Sequence, residues 1–411
     1  MTGETPYIVF SIIKLVVVFT VYMVAAALLT LAERKISGWI QGRYGPNRVG
    51  GRGGWLQPAA DGVKNFMKEE TEPGNASQPL FSMAPALSFI PAMMVWCIIP
   101  WGSPLPTRWG RLDLVVADLP IGFLFILAIA SLGVYGIVLA GWASNNKYSF
   151  LGGLRSSAQM VSYEVALGMS TIPVILLAGN VTMSQIVRQQ AHSMWNVCNL
   201  TIAFIIFIVA SLAETNRVPF DLPEAESELV AGYHTEYSAM KFSLFFISEY
   251  ANMVTSSALM ATLFLGGWDI PFTGWDNAAP FTVLKTLLTL GCFLTKTGFF
   301  IFVFIWIRWT VPRFRYDQLM SLGWRVMLPA ALGYIVLIAT TLLVLQAVGI
   351  EPGPVHSFVL LMENICLLLL LFVMVDEGRL ISPAYGRAQQ ARIGRLRARS
   401  ALPPVIEGTG K

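Results

Sequence analysis

Nine apolar runs divide this chain, near residues 8–32, 82–101, 119–143, 160–179, 197–213, 241–266, 283–307, 326–348 and 357–375. They constrain the fold more than any other feature. The hydrocarbon core of a bilayer is about 30 Å thick and takes about 20 apolar residues per spanning helix. Backbone in that layer has no water to bond, so each segment must satisfy its own N–H and C=O groups, as a helix does. Charged residues make up 13% of the chain, against about 25% in a soluble domain. That is too little to cover a soluble body of 411 residues. The expected fold is all-α and polytopic, an integral membrane protein.

The first run lacks a basic leader and a small-residue cleavage site, so it reads as a retained helix rather than a signal peptide. The four cysteines, Cys97, Cys198, Cys292 and Cys366, lie far apart in or beside apolar runs. No CxxC or Cys/His cluster offers ligands for zinc or an iron–sulfur cluster, and no metal site is expected. No internal repeat supports an inverted-repeat transporter.

Positive charge in short loops sets the orientation of such a bundle. With the N-terminus outside, the inner segments are 33–81, 144–159, 214–240, 308–325 and 376–411. The first holds Arg34, Lys35, Arg43, Arg48, Arg52, Lys64 and Lys68, and the tail holds seven further bases. The outer loops hold little beyond Arg108, Arg111 and Arg188. The expected placement is in the cell (inner) membrane, with the long loops and C-terminal tail cytoplasmic.

Within the first inner segment, "QPAADGVKNFMKEE" carries Pro58 where a first helical turn accepts it. Ala59, Val63, Phe66 and Met67 follow at helical spacing. This pattern predicts a short amphipathic helix lying in the interface. The preceding "GRYGPNRVGGRGG" lacks the Gly-Lys-Ser/Thr ending and the strand of a phosphate-binding loop. It reads as a turn-rich basic loop, serving either anchoring or the grip on a partner subunit or polar headgroup.

Ionisable residues also fall where lipid should be. Glu164 lies in the fourth run, Glu214 ends the fifth, and Glu249 is about two turns into the sixth; Lys296 is central in the seventh and Glu363 sits in the ninth. A central charge costs about 2.5–3.5 kcal/mol on insertion scales, so such groups face a bundle interior or a water cavity. Proton relay and helix-orienting ion pairs are the two uses open to them, and Glu363 reads as a polar tie to another helix. The stretch "AETNRVPFDLPEAESELVAGYHTEYS" gathers Glu214, Asp221, Glu224, Glu226, Glu228 and Glu236 around Arg217, a quarter of the chain's 24 acids. Pro219 and Pro223 keep it irregular, and Phe220 and Leu222 give it an apolar face. It reads as an acidic funnel leading to Glu214 and Glu249, which would raise the local concentration of protons or cations. A plain solvated loop needs neither the apolar insert nor those flanking acids.

Five segments now carry a resemblance: "AERKISGWIQGRYGPNRVG", "LQPAADGVKNFMKEE", "GWASNNKYSFLGGLRSSAQMVSYE", "AETNRVPFDLPEAESELVAGYHTEYS" and "PRFRYDQLMSLGW". In order and spacing, over about residues 8 to 348, the chain resembles the H subunit of proton-pumping NADH–quinone oxidoreductase, respiratory complex I. The resemblance implies a subunit at the joint of the peripheral and membrane arms, contributing much of the quinone-access tunnel. It implies coupling acids at Glu164, Glu214 and Glu249, with Glu224, Glu226 and Glu228 on the acidic loop and Lys296 on the same proton path. It implies tunnel and arm-facing residues at Arg34, Arg43, Asp61, Arg217, Phe220 and Arg308. Quinone is then the substrate, FMN and iron–sulfur clusters belong to partner subunits, and lipid but no nucleic acid is a partner. The expected organisation is a membrane domain over 1–348, an additional helix over 349–376 and a basic tail over 377–411.

Two departures stand out. Gly50-Gly51 replaces the usual Gly-Pro after "PNRVG", and "GGWLQP" stands where "GLLQP" is usual. The ninth run and tail extend past the eight helices at which bacterial members commonly end. The rival readings are the membrane anchor of an energy-converting hydrogenase, disfavoured by the complete "ETNRVPFDLPEAESELV", and a free-standing transporter.

Overall fold

Each of the nine runs lies largely on a helix. The computed structural model describes residues 4–51, 53–107, 110–221, 230–271, 273–277, 280–350 and 353–376. The helices, in chain order, are α1 (Glu4–Ile40), α2 (Gln57–Met67), α3 (Gln78–Val95), α4 (Gly122–Ala143), α5 (Lys147–Ala178), α6 (Met183–His192), α7 (Asn196–Asn199), α8 (Thr201–Glu214), α9 (Ala239–Phe264), α10 (Val283–Thr310), α11 (Tyr316–Ser321), α12 (Leu328–Val348) and α13 (Pro354–Asp376). A wide π-helical turn, Leu322–Met327, joins α11 to α12. Six stretches are long and apolar enough to cross a membrane: Val9–Ile40, Gln78–Ile98, Gly122–Ala143, Lys147–Ala178, Val283–Thr310 and Tyr316–Val348.

Four features differ from the sequence reading. α1 runs eight residues past the first apolar run and carries Glu33 and Arg34 on its last turns. α5 begins at Lys147 rather than near 160, because Asn146 caps it by accepting the Tyr148 amide at 2.9 Å. One face of its first half is buried through the small residues Ser149, Gly152, Gly153 and Ser156. A Cβ on Gly152 would lie 2.6 Å from the Gly232 Cα, so only glycine permits that approach. The fifth run is broken at Leu200 (φ −137°, ψ 47°), leaving α8 only 14 residues long.

The fourth difference is a two-stranded antiparallel hairpin, β1 (Gly102–Thr107) and β2 (Gly110–Leu114), in a chain expected to be all helix. Pro104 and Pro106 argue against a strand in sequence. The hairpin is held from outside itself: Thr289 Oγ1 accepts the Ser103 amide at 3.1 Å, and Thr286 Oγ1 donates to the Pro104 carbonyl at 3.2 Å.

α9 runs through the centre. From Met253 to Phe264 every residue is buried, as expected of a helix enclosed on all sides. Fully buried Tyr163, Phe207, Phe264 and Phe293 bring α5, α8, α9 and α10 into one core. Contacts gather the loops at two ends of the bundle. The hairpin end holds β1–β2, the 115–121 segment bonded by Lys14 Nζ, and α6 and α7. The opposite end joins residues 69–77 to 143–146 and 236–241, and α1 to α2 through Arg34 and Asp61. α2 forms as the sequence predicts, with Pro58 in its first turn, and exposes Val63, Phe66 and Met67.

Candidate functional site

Immediately after α8 the backbone turns at Asn216, in the left-handed region at φ 49°. The segment 216–220 is then fastened on several sides. The Gln159 amide of α5, fully buried, donates to the carbonyls of Ala213 and Phe220 at 2.9 and 2.8 Å and to Asn216 Oδ1 at 3.2 Å. The Phe220 ring packs between Tyr163 and Phe314, both at 5.6 Å between centroids. This fastening holds the Arg217 side chain, 2% exposed, inside the bundle.

Three elements meet that guanidinium. Arg217 Nη1 donates to Glu33 Oε2 of α1 at 3.0 Å. Its Nε lies 2.9 Å from Glu249 Oε1 of α9. Its carbon sits 4.5 Å above the Tyr250 ring, and Tyr250 Oη donates to Glu33 Oε2 at 2.6 Å. Arg308, in the last turn of α10, donates to the other Glu33 oxygen. Two arginines thus face two carboxylates, which is the condition for burying them at all. Burial opposes the charge on Arg217, and Glu249 and Glu33 outweigh it, so the guanidinium stays protonated.

Two spaces flank this cluster. A cavity of about 560 Å³ opens on the α1–α2 side, lined by Glu33, Arg34, Arg43, Tyr44, Tyr250 and Arg308 among others. Its volume suits a small organic ligand. On the other side a void of about 30 Å³ lies among Glu214, Asn216, Ser248, Glu249 and Asn252, with room for ordered water between polar groups. Glu249 therefore touches Arg217 on one side and shares the small void with Glu214 on the other. Glu164 lies within electrostatic reach of Glu214.

A family model described as NADH dehydrogenase matches residues 13–339. The chain belongs to this family. Among its curated relatives, an NADH-quinone oxidoreductase H subunit of Cytophaga hutchinsonii is 48% identical over 329 residues, 79% of this chain and 94% of the relative. The corresponding H subunit of Rhodospirillum rubrum is 51% identical over 315 residues, 77% of this chain and 88% of the relative. NADH-ubiquinone oxidoreductase chain 1 of Chondrus crispus is 50% identical over 332 residues, 81% of this chain and 96% of the relative.

Measured against the family's expected residues, the structure brings Arg217, Glu249 and Arg308 into one cluster and places Arg34 and Arg43 on its cavity. Asp61 stands behind Arg34, which it pairs at 2.8 Å, and also accepts from Gln57. Phe220 is buried in the core and does not line the cavity. Glu224, Glu226 and Glu228 lie outside the described residues.

Lys296 is not brought to Glu164, Glu214 or Glu249; the acids within its electrostatic reach are Asp269 and Asp276. Its Nζ donates to the carbonyls of Leu265, Gly267 and Asp269 at 2.6, 3.1 and 2.6 Å, and sits 4.3 Å above the Trp195 ring. Those carbonyls follow the C-terminus of α9, at the hairpin end, where helix carbonyls lack intrahelical donors. An ammonium has three donors, and here three backbone carbonyls lie within their reach.

Glu33 and Tyr250 were missed. Glu33 sits one residue past an apolar run, where a charge reads as a topological marker, although a Glu-Arg pair opening a basic segment was a usable signal.

Proposed function

We propose that this chain is the membrane subunit of an NADH–quinone oxidoreductase that forms much of the quinone-access tunnel and couples quinone reduction to proton translocation. Electrons come from FMN and iron–sulfur clusters in partner subunits, and peripheral-arm and membrane-arm subunits surround it. It sits in the inner membrane with the N-terminus outside and the α1–α2 end cytoplasmic. The names of its relatives support the complex, and the cavity supports a quinone path. Arg34, Arg43 and Arg308 offer donors for carbonyl oxygens there, and Tyr44, Tyr250 and Trp309 offer apolar faces.

One observation carries the coupling: Arg217 is shared between Glu33, on the cavity, and Glu249, on the Glu214 void. Quinone takes two electrons and two protons to become quinol. Charge developing in the cavity changes the hold of Glu33 on Arg217 and therefore the hold of Arg217 on Glu249. Glu249, loosened from Arg217, then takes a proton from Glu214 through the polar void, and Glu164 resupplies Glu214. Lys296 stands outside this path.

The test is Glu249→Gln in the assembled complex. The expected result is normal flavin content and normal NADH oxidation by an artificial acceptor, with quinone-dependent oxidation and proton pumping falling together at least tenfold (about 1.4 kcal/mol). Unimpaired pumping in that variant overturns the coupling role.

A further inference from the structure

α13 lies beyond the matched residues 13–339, yet it is not attached by apolar contacts alone. Asn364, near its middle, is fully buried. A buried amide is costly unless its bonds are made, and here both ends are engaged. Nδ2 donates to the Asn199 carbonyl at 2.7 Å and to the Leu360 carbonyl of its own helix at 2.9 Å. Oδ1 accepts from Tyr334 Oη of α12 at 2.9 Å and from the Ile202 amide at 3.5 Å.

Asn199 ends α7 immediately before the break at Leu200, and Ile202 is the second residue of α8 after it. The first amides of a helix and the last carbonyls of the one before have no intrahelical partners. One side-chain amide from the appended helix serves both, spanning the gap that the backbone ladder leaves. Beyond the break, "TIAFIIFIVASLAE" contains no glycine or proline and ends at Glu214. Twelve residues of uninterrupted helix carry the geometry of the break about 18 Å to that carboxylate. A tilt allowed at Leu200 becomes a displacement at Glu214, and at Arg217 just beyond.

We propose that Asn364 is a positioning residue: by bridging Asn199 and Ile202 it fixes the break in one geometry and so sets the place of Glu214 beside Glu249. The appended helix thereby becomes part of the coupling apparatus rather than an added anchor. This rests on the coupling role proposed for Glu214, and the experiment separates the two.

The experiment uses the whole complex in membrane vesicles, with Asn364→Ala, Tyr334→Phe, Glu214→Gln and the double variant Asn364→Ala/Glu214→Gln. Flavin content reports assembly; quinone-dependent turnover per flavin, its pH profile and protons pumped per NADH report position. Asn364→Ala should keep flavin content, lower turnover per flavin about fivefold and displace the pH profile. Tyr334→Phe, which removes one bond and keeps the packing, should shift the same profile in the same direction by less. Added to Glu214→Gln, Asn364→Ala should change nothing further, since coupled residues do not act additively.

Unchanged turnover and pH profile per flavin overturn the proposal, as do effects that multiply independently in the double variant. If Asn364→Ala fails to assemble, an unshifted pH profile in Tyr334→Phe overturns it equally. Full pumping in Glu214→Gln alone refutes the coupling role instead.

Discussion

Glu33 and Arg217 are separated by 184 residues in sequence and by 3.0 Å in space, and both are almost wholly buried. Removing one partner of such a pair leaves the other charge without compensation, at about 3–5 kcal/mol. Glu33→Gln strips a carboxylate from two arginines at once. It should reduce the amount of assembled complex in membranes and lower the quinone-dependent rate of what remains at least tenfold. Glu33→Asp, which keeps the charge, should recover most of the assembly. Bound flavin and NADH–quinone activity in isolated membranes measure both, and wild-type values for Glu33→Gln would show that the pair is dispensable.

Arg217→Lys keeps the charge but loses the planar fork that reaches two carboxylates and stacks on Tyr250. Such a replacement is not conservative at a shared, stacked site. Quinone-dependent turnover should fall at least tenfold while flavin-site electron transfer to an artificial acceptor stays normal. Equal turnover for lysine and arginine would reduce the site to a single point charge.

Arg34 and Asp61 form a solvent-facing pair, with side chains 49% and 30% exposed, and surface pairs contribute about 0–1 kcal/mol. Arg34→Ala should therefore leave assembly intact. Because Arg34 lines the cavity, the apparent KM for quinone should rise several-fold with little change in kcat. A steady-state titration with a water-soluble quinone analogue separates these, and an unchanged KM would confine Arg34 to anchoring.

Asp221 offers a pH test outside the spanning helices. Burial pushes its carboxyl up to about 6, with Arg313 pulling down and Glu249 pushing up. Between about 4 and about 6 the folded protein holds a proton there that the unfolded chain has released. The favourable contribution is present at low pH and is lost as pH rises through about 6. Asp221→Asn should raise the Tm of the purified complex, and by more at about pH 7.5 than at about pH 5. His234, pushed down to about 4 by burial, stays neutral across that range. A gain of equal size at both pH values would point to packing rather than ionisation.

Lys296→Met removes the donor to three backbone carbonyls. Unsatisfied buried acceptors cost about 1–3 kcal/mol each, so the variant should melt earlier. Protons pumped per NADH in the surviving complex should equal wild type. A lower ratio with normal stability would return Lys296 to the proton path.

The helices were legible because hydropathy over about 20 residues reports length and apolar burial directly. α2 was legible from Pro58 and the spacing of Val63, Phe66 and Met67. Glu249 could be singled out because a charge in an apolar run demands a partner, and Arg217 and Arg308 because the family resemblance implies them, but nothing in the chain said that both arginines converge on Glu33. The break at Leu200 was hidden because Asn196 and Asn199 are bordered by apolar residues, and hydropathy is blind to backbone dihedrals. The hairpin was hidden because tertiary bonds from Thr286 and Thr289 hold segments whose prolines disfavour a strand. The carbonyls that engage Lys296 belong to a loop 27–31 residues earlier, a distance no local pattern spans.

The π-helical turn at Leu322–Met327 sets the angular phase of α12. Within it, Gly323 lies against the Tyr163 ring and Trp324 Nε1 donates to Ser162 at 3.1 Å. An α-helix advances about 100° per residue, so the one surplus residue of a wide turn rotates α12 by that amount relative to an unbroken helix. Tyr334 faces Asn364, and Thr341 faces Glu363, only with that rotation in place. A single deletion within 322–327 would keep every residue of α12 and still turn Tyr334 and Thr341 away from their partners on α13.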